Sequence, residues 1–396
     1  MSMFIGLGQT IHEEIISLRR ELHQFPELSH EETRTTTRIK EELTKAGIPY
    51  KDGFATHGVL GIIKGAHPGK TIALRADMDA LPIVEKNDHD FVSHKKGVMH
   101  ACGHDAHTAM LVGAGKLLNT QKDKLSGTIL LVFQPAEEDA PIGGAQAMMD
   151  EGVFKEYVPD EIYAQHVWPD LPVGTFGVRP GAMMGNSDRF EIRITGSSGH
   201  ASMPHQTTDA IVIAAQMINS LQTIVSRSTD PLQSAVVTVG KITGGSRYNV
   251  IADDVVLEGT VRTYKADVKQ TVKARLMQIV EQTASMLGGS ACCKYHDGYP
   301  ATRNNADAAA LVAKTVQDAY GEDAQPEILP SMGGEDFGRF LEQYKGAYYW
   351  LGTAIPSREV QRPLHDPLFD IDERAIPYGV EMLAELAYQA SKEESS

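Results

Sequence analysis

The order of predicted elements in the middle of the chain constrains the fold most strongly. Apolar, β-rich runs predict strands there, and helically spaced apolar residues predict helices between them. The strands lie at residues 189–195, 235–242, 250–263 and 291–295, and the helices at 209–227 and 267–287. This order, β-α-β-β-α-β, is the split βαβ plan of a ferredoxin-like domain. The sequence therefore predicts an inserted α+β module over residues 186–298.

The flanking segments carry a different pattern, in which helices and strands alternate. Before the module, strands are predicted at 59–64, 71–75, 128–133 and 162–165, with a helix at 107–118. After it, the pattern resumes with a helix at 307–320, a strand at 347–351 and a helix at 377–391. This alternation indicates an α/β fold. We therefore predict a discontinuous α/β domain formed by residues 1–185 and 299–396.

Metal-binding and acid–base side chains gather in this α/β domain. Cys102 and His104 flank Gly103, whose backbone freedom lets both side chains face one ion. Glu137 and Glu138 follow Pro135, and neighbouring residues on a regular strand would point to opposite faces. On irregular backbone, however, one carboxylate can hold a cation while the other moves a proton. This pattern is typical of a metal hydrolase.

Composition excludes several other classes of protein. The formal net charge of −15 argues against nucleic acid or an anionic membrane as the partner. No run approaches the roughly 18 apolar residues of a membrane span, and the N-terminus lacks a signal-peptide pattern. The chain has three cysteines, and the adjacent pair Cys292 and Cys293 could bond only with strain. We therefore expect a soluble cytoplasmic protein.

Six separated motifs resemble the dinuclear-metal amidohydrolases of peptidase family M20. This family includes hippurate hydrolase, N-acyl-L-amino-acid amidohydrolases and indole-3-acetyl-amino-acid hydrolases. The motifs are RADMDALP (75–82), CGHD (102–105), QPAEE (134–138), GHASMPH (199–205), GGEDF (333–337) and LH (364–365). Where the wider metallopeptidase clan has His-x-Asp, this chain has Asp77-Met78-Asp79. The Cys-Gly-His run compensates in this subfamily, with Cys102 replacing a bridging aspartate.

The resemblance implies a fold, a metal centre and a set of roles. It implies a central mixed sheet flanked by helices, a module acting as lid and dimerisation domain, and two divalent ions per subunit, which could be Zn²⁺, Mn²⁺, Co²⁺ or Ni²⁺. Glu137 becomes the general base. The implied metal ligands are Cys102, His104, Glu138, His166 and His365. Asp77 and Asp79 either cap the sheet edge or accept hydrogen bonds from ligand imidazoles.

The inserted module supplies three further candidates by the same resemblance. His200 matches a histidine that reaches across a dimer interface to polarise the substrate carbonyl in the partner's site. Asn249 and Arg262 match substrate-contacting positions, and the planar fork of arginine suits a carboxylate. Arg262 could instead form an ordinary ion pair on a strand. A homodimer or homotetramer with a hinge near Gly185 and Tyr299 is expected.

The function expected from these residues is hydrolysis of N-acyl-L-amino acids to a carboxylate and a free amino acid. N-acetyl-diaminopimelate deacetylation and carbamoyl-amino-acid hydrolysis are alternatives, because the sequence does not reveal the pocket. A second alternative is a non-catalytic metal-binding relative, which would not need the base Glu137. A third takes Cys102 as a covalent nucleophile paired with a histidine.

Overall fold

The computed structural model describes residues 2–392, and these residues divide into two compact units. The first unit comprises the chain up to Met183, together with Arg303–Leu329 and the residues from Asp336 onward. The second comprises Met184–Thr302 and Pro330–Glu335. The short piece 330–335, part of which belongs to the GGEDF motif, therefore groups with the inserted module.

The helices and strands of the described residues are as follows. The helices are α1 His12–Gln24, α2 Thr33–Lys45, α3 His104–Thr120, α4 Gly144–Asp150, α5 Ala210–Thr223, α6 Ala266–Met286, α7 Ala306–Tyr320, α8 Gly338–Leu341 and α9 Ala375–Ala390. The strands are β1 Tyr50–Phe54, β2 Gly58–Lys64, β3 His67–Asp77, β4 Ser126–Gln134, β5 Glu161–Pro172, β6 Phe176–Gly177, β7 Gly181–Met184, β8 Asp188–Thr195, β9 Gly199–His200, β10 Ala235–Gly244, β11 Val250–Ile251, β12 Asp254–Thr263, β13 Ser290–His296, β14 Thr302–Asn304 and β15 Lys345–Ala354.

The first unit is built on a mixed sheet. Among the described residues this sheet has seven strands in the order β1-β2-β4-β3-β5-β15-β6. The central neighbours β4, β3, β5 and β15 run parallel, whereas β1, β2 and β6 pair antiparallel. The parallel strands end at one edge, so the residues that follow them are brought together there.

Helix α3 is the central helix of this unit. All but a few residues near its C-terminus are buried, and it packs against α1 and α9 as well as the sheet. A helix that is apolar on all sides has to be enclosed in this way. Its N-terminus carries His104, so the packing of α3 fixes the position of the candidate metal ligands.

The second unit is an antiparallel sheet covered by two helices. Its four strands have the order β10-β12-β8-β13, and α5 and α6 share one hydrophobic core with them. On β8, Phe190, Ile192 and Ile194 point into that core and alternate with more exposed residues. The chain order β8-α5-β10-β12-α6-β13 is the predicted ferredoxin-like order. The predicted fold class is confirmed.

One predicted strand of this unit was wrong. Residues 250–263 form two strands, because β11 pairs with β9 whereas β12 joins the four-stranded sheet. The break falls at Ala252 and Asp253, whose carbonyl oxygens accept hydrogen bonds from the backbone N–H groups of Ala210 and Gly196. Within residues 2–392, no helix is long and apolar enough to cross a lipid bilayer.

Candidate metal centre

A tight turn before α3 positions Cys102 and His104. Gly103 has φ +86°, and a Cβ at this position would lie 2.4 Å from a methyl group of Val167. Glycine is therefore required both by the backbone conformation and by the close approach of β5. The carbonyl oxygen of Ala101 accepts the backbone N–H of His365 (2.8 Å). This bond ties the distant His365 segment to the same turn.

His166 lies on β5 and faces Cys102. This strand continues past residue 165, where the sequence predicted its end. The Nδ1 atom of His166 lies 2.7 Å from the carbonyl oxygen of Val167, so it donates a proton there and leaves the Nε2 lone pair free. This Nε2 atom is 3.4 Å from the Cys102 Sγ atom. Burial, followed by the neighbouring His107, holds the pKa of His166 well below its ordinary value. His166 is therefore a neutral imidazole, the form that binds metals.

The paired glutamates lie on irregular backbone after β4. Ala136 has φ +56°, an unusual conformation for a residue with a Cβ, and its N–H donates to the buried carboxylate of Glu32 (2.8 Å). The backbone N–H of Glu138 donates to Asp79 Oδ2 (3.0 Å). These two bonds hold the bend that lets Glu137 and Glu138 face one site.

Cys102 belongs to two candidate ligand sets. In each set, one potential ligand atom per residue lies within 4.8 Å of the others. The first set joins Cys102 to His104 and His166, and the second joins it to Glu138 and His365. His365, at φ +67°, places its Nε2 atom 3.2 Å from Glu138 Oε1. The five predicted ligands are thus brought together as two groups that share one thiol.

Two buried polar atoms that make no hydrogen bond fit a metal at this place. They are His104 Nε2 and Glu138 Oε1, and the second of them lies within ion-pair distance of His365 Nε2. An unpaired buried polar group is costly, so natural proteins rarely retain one without a ligand. A thiol, three imidazoles and a carboxylate are also the donor types that Zn²⁺ and similar divalent ions prefer. The residues present therefore fit a dinuclear metal centre.

Asp77 and Asp79 lie behind two imidazoles, those of His107 and His104 respectively. His104 Nδ1 donates to the Asp79 carbonyl oxygen (2.9 Å), which leaves Nε2 directed away. Burial lowers the pKa of His104, but the carboxylates of Asp77 and Asp79 outweigh burial and raise this pKa to about 10. Asp77 Oδ1 also accepts from His107 Nδ1 at 2.6 Å. A carboxylate or carbonyl behind the far nitrogen is the usual support of a metal-binding histidine.

Sequence reasoning missed several supporting residues. His107 was not among the predicted site residues, yet it is buried and its Nε2 atom accepts the backbone N–H of Val167 (2.9 Å). Arg75 is also buried and bridges Asp77 Oδ2 (2.6 Å) and Asp336 Oδ1 (2.9 Å). The backbone N–H of Asp336 in turn donates to Glu137 Oε1 (3.3 Å). The only signal in the sequence was that Arg75 lies in the RADMDALP motif and Asp336 in the GGEDF motif.

The three remaining candidates lie in the second unit. His200 and Asn249 are neighbours there, because β9 pairs with β11 and Ala201 N–H donates to the Asn249 carbonyl oxygen (3.2 Å). The exposed His200 accepts the backbone N–H of Ser202 at Nδ1 (3.1 Å), so its proton lies on Nε2. Arg262 stands on β12. Asn249 Oδ1 and Arg262 Nη1 are buried and have no hydrogen-bond partner.

Comparison with known proteins identifies the class. Residues 73–389 match the model of peptidase family M20/M25/M40. N-acetyl-L-cysteine deacetylase of Bacillus subtilis is 44% identical over 367 residues, covering 93% of this chain and 86% of the relative. IAA-amino acid hydrolase ILR1-like 2 of Arabidopsis thaliana is 38% identical over 390 residues, covering 98% and 87%.

A solved structure similar to this chain indicates the same family. The Bacillus subtilis YXEP protein, described as a dinuclear metal binding peptidase from the M20 family, superposes with a TM-score of 0.83 at 36% identity, covering 96% of this chain and 98% of that one. The chain belongs to peptidase family M20/M25/M40 and is a hydrolase. The predicted family and enzyme class are confirmed.

Proposed function

We propose that the protein hydrolyses the amide bond of N-acyl-L-amino acids, releasing a carboxylate and a free amino acid. The observation that carries this proposal is the pair of ligand sets sharing Cys102, with the Glu137 carboxylate beside them. His104, Glu137 and Glu138 form a third group within the same 4.8 Å limit. The similarity to N-acetyl-L-cysteine deacetylase and to an IAA-amino acid hydrolase supports the substrate class.

In this proposal Cys102, His104, Glu138, His166 and His365 hold two divalent ions. Such ions would lower the pKa of a bound water and would polarise the scissile carbonyl. The mixed sulfur, nitrogen and oxygen set accommodates Zn²⁺, Mn²⁺, Co²⁺ or Ni²⁺. A cysteine thiol as a metal ligand favours a reducing compartment, which supports a cytoplasmic location.

Glu137 acts as the general base. One of its carboxylate oxygens accepts a proton from the attacking water, and the same group then delivers that proton to the leaving amine nitrogen. The Asp336 N–H bond to Oε1 keeps the carboxylate oriented, and Arg75 in turn holds Asp336. Asp79 keeps the His104 ring in position for its metal ion, and Asp77 holds the neighbouring ring of His107.

The second unit carries the two proposed substrate-contacting residues, Asn249 and Arg262. The half-buried side chain of Arg262 has a buried Nη1 atom without a hydrogen-bond partner, and burial lowers its pKa, so an anionic partner would stabilise it. The free carboxylate of an N-acyl amino acid is such a partner. Asn249 Oδ1 also lacks a hydrogen-bond partner, and in this proposal it accepts an N–H group of the substrate. The Nε2 proton of His200 polarises the amide carbonyl of substrate held by a partner subunit in a homodimer.

The competing functions explain fewer observations. A cysteine nucleophile would need only Cys102 and His166, and it leaves the unpartnered atoms of His104 and Glu138 without a role. A non-catalytic metal protein would not need the second carboxylate, Glu137. Chelator should therefore abolish turnover, and added divalent metal should restore it.

A substrate panel tests the proposal directly. Protein of measured metal content is assayed with N-acetyl, N-benzoyl and N-indoleacetyl amino acids, N-acetyl-diaminopimelate and N-carbamoyl amino acids. We expect turnover of at least one N-acyl-L-amino acid, in proportion to bound metal. Turnover by metal-free protein, or turnover of the carbamoyl compounds alone, would reject the proposal.

Subunit mixing tests the role of His200. A His200→Ala subunit is mixed with a Glu137→Gln subunit, each nearly inactive alone. If His200 serves the partner, one site in the mixed dimer has both an intact base and an intact histidine, so up to half of the wild-type activity per dimer returns. No recovery after confirmed subunit exchange would show that His200 does not act across the dimer.

A further inference from the structure

A second cluster of metal-binding side chains lies outside the centre described above. It consists of His23 at the end of α1, with Glu85 and His89 from the segment after β3. His23 Nε2 lies 3.0 Å from Glu85 Oε1, and His89 Nε2 lies 3.4 Å from the same oxygen. One potential ligand atom from each residue lies within 4.8 Å of the others.

The hydrogen bonding of His23 resembles that of a metal ligand. Its Nδ1 atom is 2.8 Å from Asp105 Oδ2, while Nε2 faces a second carboxylate, Glu85. A neutral ring can donate to only one of these carboxylates, so the other nitrogen needs either a second proton or a cation. A carboxylate behind one imidazole nitrogen, with the other nitrogen facing the ion, is common in metal sites.

His89 gives a second, independent observation. Both of its ring nitrogens are buried and make no hydrogen bond, although Nε2 lies within ion-pair distance of Glu85 Oε1. The ring stacks on Phe91 (centroids 3.7 Å apart, planes at 14°), which fixes its orientation. Burial lowers the pKa of His89, so its ring is neutral and offers a lone pair. An unpartnered, neutral and oriented imidazole is a ready ligand.

Glu85 is oriented before any ion binds. Ser93 N–H donates to its Oε2 atom (2.6 Å), and the Asn87 side-chain amide donates to Oε1 (3.1 Å). Among residues 2–392, no lysine or arginine lies within ion-pair distance of Glu85. Its positive counterpart is therefore an imidazole or a bound ion. Two nitrogens and one oxygen around Zn²⁺ would lie about 3.3–3.5 Å apart at tetrahedral geometry, close to the two distances measured here.

We propose that His23, Glu85 and His89 form a third divalent-metal site that takes Zn²⁺ or a similar borderline ion. The site joins the end of α1 to the segment leading to Cys102. Asp105, which follows His104 on α3, supports it through His23. An ion here would stabilise the chain segment that leads to the dinuclear centre, without taking part in the reaction.

Metal counting with matched variants tests this site. Wild type, His89→Phe and His94→Phe are equilibrated at a buffered free zinc concentration, and bound zinc per chain is measured by mass spectrometry. Phenylalanine preserves the stack on Phe91 but cannot ligate. His94 lies in the same segment outside the cluster and is the control. We expect three zinc ions for wild type and His94→Phe, and two for His89→Phe.

A thermal measurement on the same samples gives a second readout. Excess zinc binding only to the folded state raises the Tm of wild type and His94→Phe more than that of His89→Phe. Turnover of the best substrate should stay the same in all three proteins, because the dinuclear centre is intact. Equal zinc counts in the two variants, or two ions in wild type, would overturn the third site. Loss of turnover without loss of this ion would instead concern the dinuclear centre.

Discussion

Removing the carboxylate of Glu32 should impair catalysis although Glu32 is not itself one of the catalytic groups. Its Oε1 atom accepts the N–H of Ala136, the residue at φ +56° that directly precedes Glu137 and Glu138. A left-handed conformation costs a residue with a Cβ about 1–2 kcal/mol. A hydrogen bond to a charged group contributes about 1.5–3 kcal/mol, which is enough to offset that cost. Glu32→Ala should therefore release the bend that aims both glutamates.

The expected size follows from these energies. Burial and the neighbouring Asp79 raise the pKa of Glu32 to about 7, so assays at pH 8 compare the ionised carboxylate with its absence. We assume that the whole energy of the lost hydrogen bond goes into displacing the backbone from the bend that catalysis needs. Because about 1.4 kcal/mol corresponds to a tenfold change in rate, kcat should then fall by about 10- to 150-fold. Glu32→Gln keeps an acceptor oxygen and should retain most activity. The exposed neighbour Glu31 provides the control, Glu31→Ala.

Ala136→Gly distinguishes this mechanism from a general loss of folding. Glycine adopts positive φ without the steric cost, so in the Glu32→Ala background it should restore kcat by roughly five- to thirty-fold. In the wild-type background it should change kcat little, because the bend is already formed. The assay is kcat on the best N-acyl amino acid, with metal content measured alongside. Equal effects of Ala136→Gly in both backgrounds would refute the reasoning.

Three further predictions concern the centre and the second cluster. Glu137→Gln should lower kcat by about 10²–10⁴ with metal content near wild type, and loss of metal would instead assign a ligand role to Glu137. Cys102→Ala should lose both metal and activity, and normal turnover by metal-free protein would contradict this. Burial raises the pKa of Glu85, but the contact with His23 outweighs burial and lowers this pKa to about 2. The ionised Glu85 therefore stabilises the fold at pH values above its unfolded pKa, and this stability is lost as the pH falls through about 2. The stability of the Glu85→Gln variant should therefore depend less on pH in the acid range. An acid-unfolding midpoint that circular dichroism finds unchanged from wild type would refute this contribution of Glu85.

The fold was largely predictable because it depends on repeated patterns. Strand and helix periodicity continues over many residues, so the helices α3, α6 and α7 and the strands β2 and β4 lie within a few residues of their predicted bounds. The strand break at Ala252 and Asp253 was not predictable, because it depends on carbonyl groups pairing with residues about 40 to 60 positions earlier in the chain. Local sequence carries no signal for partners at that distance.

Two site residues show where sequence reasoning reaches its limit. His107 and His23 have ordinary helical surroundings in sequence, and only the approach of β3 and of the segment after it reveals that both are buried and face carboxylates. A ligand can be inferred from its motif, because coordination restricts the residue type. A supporting residue needs only a hydrogen bond, and many residue types at many positions can supply one. The contacts that Asp77 and Asp105 make therefore become apparent only when the surrounding atoms are located in space.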